Sequence, residues 1–214
     1  MPKLGMGPIR RKQLIAAAIA SIHDYGFAEA TVARIAAKAG VSTGMVHHYF
    51  EDKADLLAAT MRSLLEILRR DAVSRLRRAD SPRARLDAVI HSSFADAQFD
   101  DEVFSAWLAL YGNARTSRQL QRILRIYHRR LDSNLRNDLV PLIGRQAAGT
   151  VAFSIAALID GLWLRYALSG RPDNPETPRA LTRDYIDSKL ASVSLPVSPL
   201  SEVPALRGRA LRRS

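Results

Sequence analysis

Apolar residues recur at helical spacing almost from the start of the chain. Leu14, Ile15, Ala18, Ile19 and Ile22 share one face of a predicted helix from Ile9 to Tyr25, with Gly26 as its stop. Thr31 offers an N-cap hydroxyl to a short helix carrying Val32, Ile35, Ala36 and Ala39, which ends at Gly40. Ser42 caps another short helix through Tyr49, and Asp52 caps a longer one whose Leu57, Met61, Leu64, Leu65 and Leu68 form a continuous stripe.

The pattern stays helical beyond that stripe. Ser81-Pro82 opens a helix to about Ala97, and Asp100, Asp101 and Glu102 open the next, to about Ala114. A long amphipathic helix runs from Ser117 to Leu139 and is stopped by Pro141. Another runs from Arg145 to Ser169 and is stopped by Gly170 with Pro172 beyond, and the last covers Pro178 to Leu190. No strand pattern, repeat or glycine-rich phosphate loop interrupts the series, so the fold class is all-α. Three regions follow: a helix-turn-helix domain over 8–68 with its motif at about 31–50, a larger helical domain over 69–190, and a basic, disordered tail over 191–214.

Charge narrows the function. Thirty-two Lys and Arg against twenty-one Asp and Glu leave a net charge of +11, which suits a polyanionic partner. The absence of cysteine removes thiolate metal sites and disulfides, and no signal-peptide pattern follows Arg10, Arg11 and Lys12, so a cytoplasmic setting is expected. The apolar run Val151 to Leu168 contains Asp160 and Arg165, each costly in hydrocarbon, which favours a buried soluble helix over a membrane span. Five scattered histidines with no Ser-His-Asp spacing argue against an enzyme.

Two short helices joined by Ala39-Gly40-Val41 have the layout of a helix-turn-helix, whose second helix enters the major groove. Val46 and Phe50 are four apart and face the core. Thr43, Gly44, His47 and His48 project elsewhere, as base readers, while Tyr49 and Lys53 suit phosphate oxygens. The capping residues Thr31 and Ser42 complete the DNA-binding set. His47 and His48 point about 100° apart and cannot chelate a metal together.

Residues Ile9 to Leu68, with Thr-Val-Ala-Arg-Ile-Ala-Ala-Lys-Ala-Gly-Val-Ser-Thr-Gly at 31–44 and Tyr-Phe-Glu-Asp-Lys at 49–53, resemble the DNA-binding domain of the tetracycline-repressor (TetR) family. The opening Met-Pro-Lys-Leu-Gly-Met, Ala106-Trp107-Leu108-Ala109 and the stretch Ala156 to Arg165 are similar to a choline-responsive branch of that family, repressors of choline uptake and glycine betaine synthesis. The resemblance implies a homodimer on a palindromic operator, released when choline or a related quaternary ammonium, or alternatively another hydrophobic cation or an acyl compound, binds the C-terminal domain. It fades near Leu190.

The helix from Arg145 to Ser169 is apolar all round. On a wheel, Phe153, Ala156, Ala157, Trp163, Leu164 and Ala167 share a face with Asp160, and Val151, Ile155, Leu158 and Leu162 lie opposite. The face with Asp160 is expected in its own domain and the opposite face, with Leu158, against a second protomer, joined there by Leu181, Tyr185, Ile186 and Leu190 of the last helix, so that Leu158→Arg would break the dimer. Asp160 needs a partner, and a cationic ligand or one of Arg125, Arg129 and Arg165 would serve. Trp163, with Phe104, Trp107 and Tyr111 at i, i+3 and i+7 of another helix, would supply rings for a quaternary ammonium.

Overall fold

A computed structural model describes residues 6–169 and 174–194. The expected helix stop at Gly170 and Pro172, and the arginines of the basic tail, lie outside the described residues. Eight α-helices and one 3₁₀ turn are present, with no strand among the described residues. They are α1 (Met6–Glu29), α2 (Val32–Lys38), α3 (Thr43–Tyr49), α4 (Lys53–Leu76), α5 (Pro82–Ser93), α6 (Asp101–Ala114), α7 (Arg118–Ser169) and α8 (Glu176–Ser194), with the 3₁₀ turn at Asp96–Gln98 between α5 and α6.

The predicted caps form. The side chains of Thr31, Ser42, Asp52 and Ser81 accept from the backbone N–H groups of Arg34, Met45, Asp55 and Ala84, which the first turns leave without helical partners. Gly40 turns between α2 and α3 at φ 65°, a conformation that a side chain would strain.

Some boundaries depart from the sequence reading. α5 stops at Ser93, four residues short of Ala97, because Phe94 leaves helical geometry and buries its ring completely. α4 continues to Leu76, past the Leu68 that closes its apolar stripe. Pro141 does not stop the helix before it. The chain stays helical through Ile143 and turns at Gly144 (φ 77°), which divides α7 into a first arm, α7a (118–143), and a second, α7b (145–169). A single missing N–H near a helix end is tolerated, whereas the reversal itself needs positive φ.

Two hydrophobic cores result. The smaller joins Leu14, Ala18, Ile35, Val46, Phe50 and Leu56 of α1 to α4. The larger fills the space among α4 to α8, and it also takes in Ile22 from the end of α1 and Leu57 and Met61 from α4. Two helices therefore contribute to both cores, and α4 runs unbroken across the 68/69 division. At roughly 1.5 to 3 kcal/mol for each fully buried large aliphatic side chain, this continuity mechanically couples the ends of the molecule.

The phase of α7b differs from the wheel reading. Ala148, Val151, Ala152, Ile155, Ile159 and Trp163 are its buried positions. Val151 and Ile155, expected on the outer face, are core residues, while Phe153 (72% exposed) and Leu164 (41%), expected inside, face outward with Leu168 (68%). A helix apolar all round carries no phase information, so its neighbours decide. On α8, Ile186 is buried with Tyr185 and Leu190 packed against the same core, and only Leu181 of the expected interface quartet is exposed. Among the described residues α7 is the one helix long and apolar enough to cross a membrane, by length and composition alone.

Candidate functional site

The turn at Gly40 sets α3 across the end of α2, and Val46 and Phe50 anchor it in the smaller core. Thr43, Gly44, His47 and His48 are exposed together, and Met45 joins them at 39% exposure. A Cβ on Gly44 would meet only Ser42 Oγ at 3.9 Å, so nothing inside the chain requires glycine there. Tyr49 is half-buried, its ring edge-on to His48 at 5.1 Å between centroids. The exposed hydroxyls of Thr31 and Ser42 accept their capping bonds and each keeps a proton to donate. Lys53 departs from the expected outward reach: its ammonium donates to the Ala28 carbonyl at 2.7 Å and lies 4.4 Å from the centre of the Phe27 ring. Burial lowers its pKa, against a smaller opposite effect from Glu29.

At the other end of the molecule the expected rings meet. Phe104 and Trp163 lie 5.1 Å apart, Trp107 and Trp163 5.8 Å, and Tyr111 and Trp163 6.3 Å between centroids, with Trp107 stacked on Tyr111 at 5.9 Å. Three of these rings come from one face of α6 and Trp163 from the inner stripe of α7b. The cluster is closed. The cleft between Trp107, Tyr111, Trp163 and Asp160 measures about 10 Å³, room for about one water.

Asp160 sits at the edge of the cluster with its side chain 32% exposed. Its partners are neither Arg125 nor Arg129 nor Arg165. The Tyr127 hydroxyl donates to Oδ1 at 3.5 Å, and His128 Nε2 lies 3.3 Å from Oδ2. Tyr127 also packs its ring on Trp107 at 5.3 Å. Burial, reinforced by the Asp160 charge, raises the pKa of both Tyr127 and Tyr111, so both phenols remain protonated donors. The Trp107 indole donates to Gln98 Oε1 at 3.3 Å, from the 3₁₀ turn.

Tyr127, His128 and Gln98 escaped the sequence reading. Tyr127 follows Leu120 and Ile123 at core spacing, which marks it as buried, but its bond to a residue 33 positions away passes through the reversal at Gly144. Tyr127, Leu68 and Ser93 also border a larger cavity of about 380 Å³ between α4, α5 and α7a, walled by Leu65, Val89, Ile126 and Leu131 with Arg69 and Arg130 on its lining. Among the described residues no group of three or more metal-ligating side chains is gathered.

Comparison with known proteins covers both halves. Residues 14–60 match the family described as bacterial regulatory proteins, tetR family, and residues 82–191 match that of the BetI-type transcriptional repressor C-terminal domain. The HTH-type transcriptional regulator BetI of Agrobacterium fabrum is 47% identical over 192 residues, 90% of this chain and 93% of its own. That of Cronobacter sakazakii is 45% identical over 196 residues, 91% and 97% of the two chains. Among solved structures, a transcriptional regulator from Pseudomonas aeruginosa PAO1 superposes with a TM-score of 0.76 at 27% identity, covering 86% of this chain and 91% of that one. A regulator from Saccharomonospora viridis in complex with choline gives 0.72 at 20% identity over 83% and 95%, a likeness of fold.

Proposed function

Since this chain belongs to the TetR family of bacterial transcriptional regulators, with a BetI-type C-terminal domain, we propose that it represses genes for choline uptake and conversion to glycine betaine and that choline releases it from its operator. As a member of that family it is a DNA-binding homodimer and not an enzyme. The observation that carries the choline reading is the convergence of Trp107, Tyr111, Tyr127 and Trp163 on the carboxylate of Asp160. Ring faces attract a quaternary ammonium by their quadrupoles, and a half-buried carboxylate supplies the opposite charge without requiring a proton donor on the ligand. The S. viridis regulator bound to choline supports the same ligand class.

The cleft must open to admit choline. Tyr127 is the ring that borders both the cleft and the 380 Å³ cavity, so its rotation makes room without unpacking a helix. Leu68 of α4 lines both spaces as well, and α4 begins at Lys53, three residues beyond the recognition helix and its Phe50 cap. A ligand that fits the open arrangement better than the closed one biases α4, and through it the separation of the two recognition helices in the dimer. On α3, the exposed Thr43, His47 and His48 read bases, and Gly44 leaves room for close approach of the backbone. The outward Phe153, Ala157, Leu164 and Leu168 of α7b, with Leu181 of α8, supply the face for the second protomer.

The test is calorimetric titration of the protein with choline and with its uncharged isostere 3,3-dimethylbutanol, followed by operator binding with each. Choline is expected to bind at least about tenfold more tightly and to release the DNA, since each ring is worth about 0.5 to 2 kcal/mol toward a cation. Equal affinity for the two compounds overturns the choline reading.

A further inference from the structure

We propose that α7a carries a second nucleic-acid-binding surface, a stripe formed by Arg118, Arg122, Arg125 and Arg129 that holds the phosphate backbone of duplex DNA beside the operator-reading face. The proposal rests on DNA binding by α3. The four arginines are spaced four, three and four apart, which at about 100° per residue places them within a sector of about 60°. All four are exposed, and Leu120, Ile123 and Leu131 occupy the opposite, buried side.

The stripe is chemically unlike the basic surface of α4. On α4, Arg62, Arg69, Arg70 and Arg75 each engage a carboxylate of their own helix, at 3.4, 2.7, 2.9 and 2.8 Å. From Arg118 to Leu131 the sequence contains no Asp or Glu, and among the described residues none of the four stripe arginines is within ion-pair distance of a carboxylate. Like charges three and four residues apart repel along a helix, and the positive end of the helix dipole disfavours cations in its opening turns. The arrangement opposes folding and favours an external anion.

Position and length select DNA. The side-chain amide of Gln119, beside the first arginine, donates to Asp55 Oδ1 at 3.4 Å, in the first turn of α4 and directly after the recognition helix. The stripe thus starts at the DNA-reading end and leads away from it. The eleven helical steps from Arg118 to Arg129 span about 16 Å, the axial rise of about five phosphates on one strand. Guanidinium groups match phosphate oxygens in bidentate geometry. An anionic membrane is the poorer fit, because surface-lying helices insert an exposed apolar face and this one is committed to the core.

The full-length protein and its triple variant Arg122→Gln, Arg125→Gln, Arg129→Gln are compared on a random-sequence duplex of about 40 base pairs across about 50 to 200 mM salt. The slope of log affinity against log salt is expected to become shallower by about 2 to 3 in the variant, near 0.9 for each phosphate that is no longer neutralised. Arg70→Gln, at an exposed arginine already paired with Glu66, serves as the control that leaves the slope unchanged, and the melting temperature of the triple variant should equal or exceed that of the parent. Equal slopes overturn the proposal. Equal slopes together with loss of binding to phosphatidylserine vesicles in the variant assign the stripe to lipid and overturn it equally. A parent with no preference for its own promoter over random DNA removes the operator reading instead, and a slope difference in that case still upholds the stripe.

Discussion

Asp160 bonds to a phenol and an imidazole, and that choice of partners decides what asparagine would do there. The asparagine oxygen still accepts from the Tyr127 hydroxyl, and its NH2 donates to the other partner, the His128 Nε2 of a neutral imidazole, so Asp160→Asn should melt close to the parent. Its affinity for choline should fall at least about tenfold, and that for 3,3-dimethylbutanol little, as titration would show. Had an arginine been the partner, the same change would strand a buried cation, at a cost of about 3 to 5 kcal/mol. At the DNA end, Thr43→Ala and His47→Ala should lose operator affinity with relaxed preference at particular base pairs, because base contacts specify. Lys53→Ala should weaken specific and random duplexes alike and lower the melting temperature, since its ammonium holds the Ala28 carbonyl and lies over Phe27. Binding assays on both kinds of duplex, beside thermal melts, separate the two classes of effect.

At the scale of helices, the outward face of α7b predicts where the dimer is sensitive. Phe153→Arg should yield a monomer by sedimentation that no longer binds operator, because each protomer would bury a charge against an apolar face or its own copy. Leu158→Arg, which the wheel reading favours as the disruptive change, should act less, since Leu158 is only partly exposed and lies off the Phe153 and Leu164 face. α5 carries a pH effect. Burial lowers the pKa of His91, as do the charges of Arg179 and Arg75, so the folded protein binds fewer protons there than the unfolded chain. Stability should therefore decline as pH falls below the unfolded value of about 6.5 and level off once His91 is protonated in the folded state too. Thermal melts between about pH 7 and pH 5 should show a shallower decline for His91→Gln, which cannot titrate.

Across the whole molecule, α6 touches both functions. Its inner face presents Trp107 and Tyr111 to the cleft and packs Phe104 on Trp163, while Ser105 Oγ lies 3.1 Å from His23 Nδ1 of α1. Ile22, one residue earlier on α1, is buried in the core that contains those rings. Together with α4 this gives the proposed ligand site two routes to the DNA-reading face, so the two sites should be coupled in both directions. The factor by which choline weakens operator binding must equal the factor by which operator weakens choline binding, typically about 5- to 150-fold. Titrating choline into free and operator-bound protein measures it, and a factor near one would mean that the pocket and the DNA face are independent.

The sequence by itself determined what depends on near neighbours along the chain. Thr31, Ser42, Asp52 and Ser81 cap helices because a side-chain oxygen reaches an amide three residues on, and the turn at Gly40 follows from one residue's freedom at positive φ. The helix-turn-helix was legible for that reason, and the rings of α6 share a face by spacing alone. Tertiary structure decided the rest. Val151, Phe153 and Leu164 are all apolar, and only the packing of α7b against its neighbours settles which are buried. Tyr127, His128 and Gln98 come to Asp160 and Trp107 because the chain reverses at Gly144 and leaves helical geometry at Phe94. A contact across 33 residues has no local signature, since the free energy that selects it comes from the whole core.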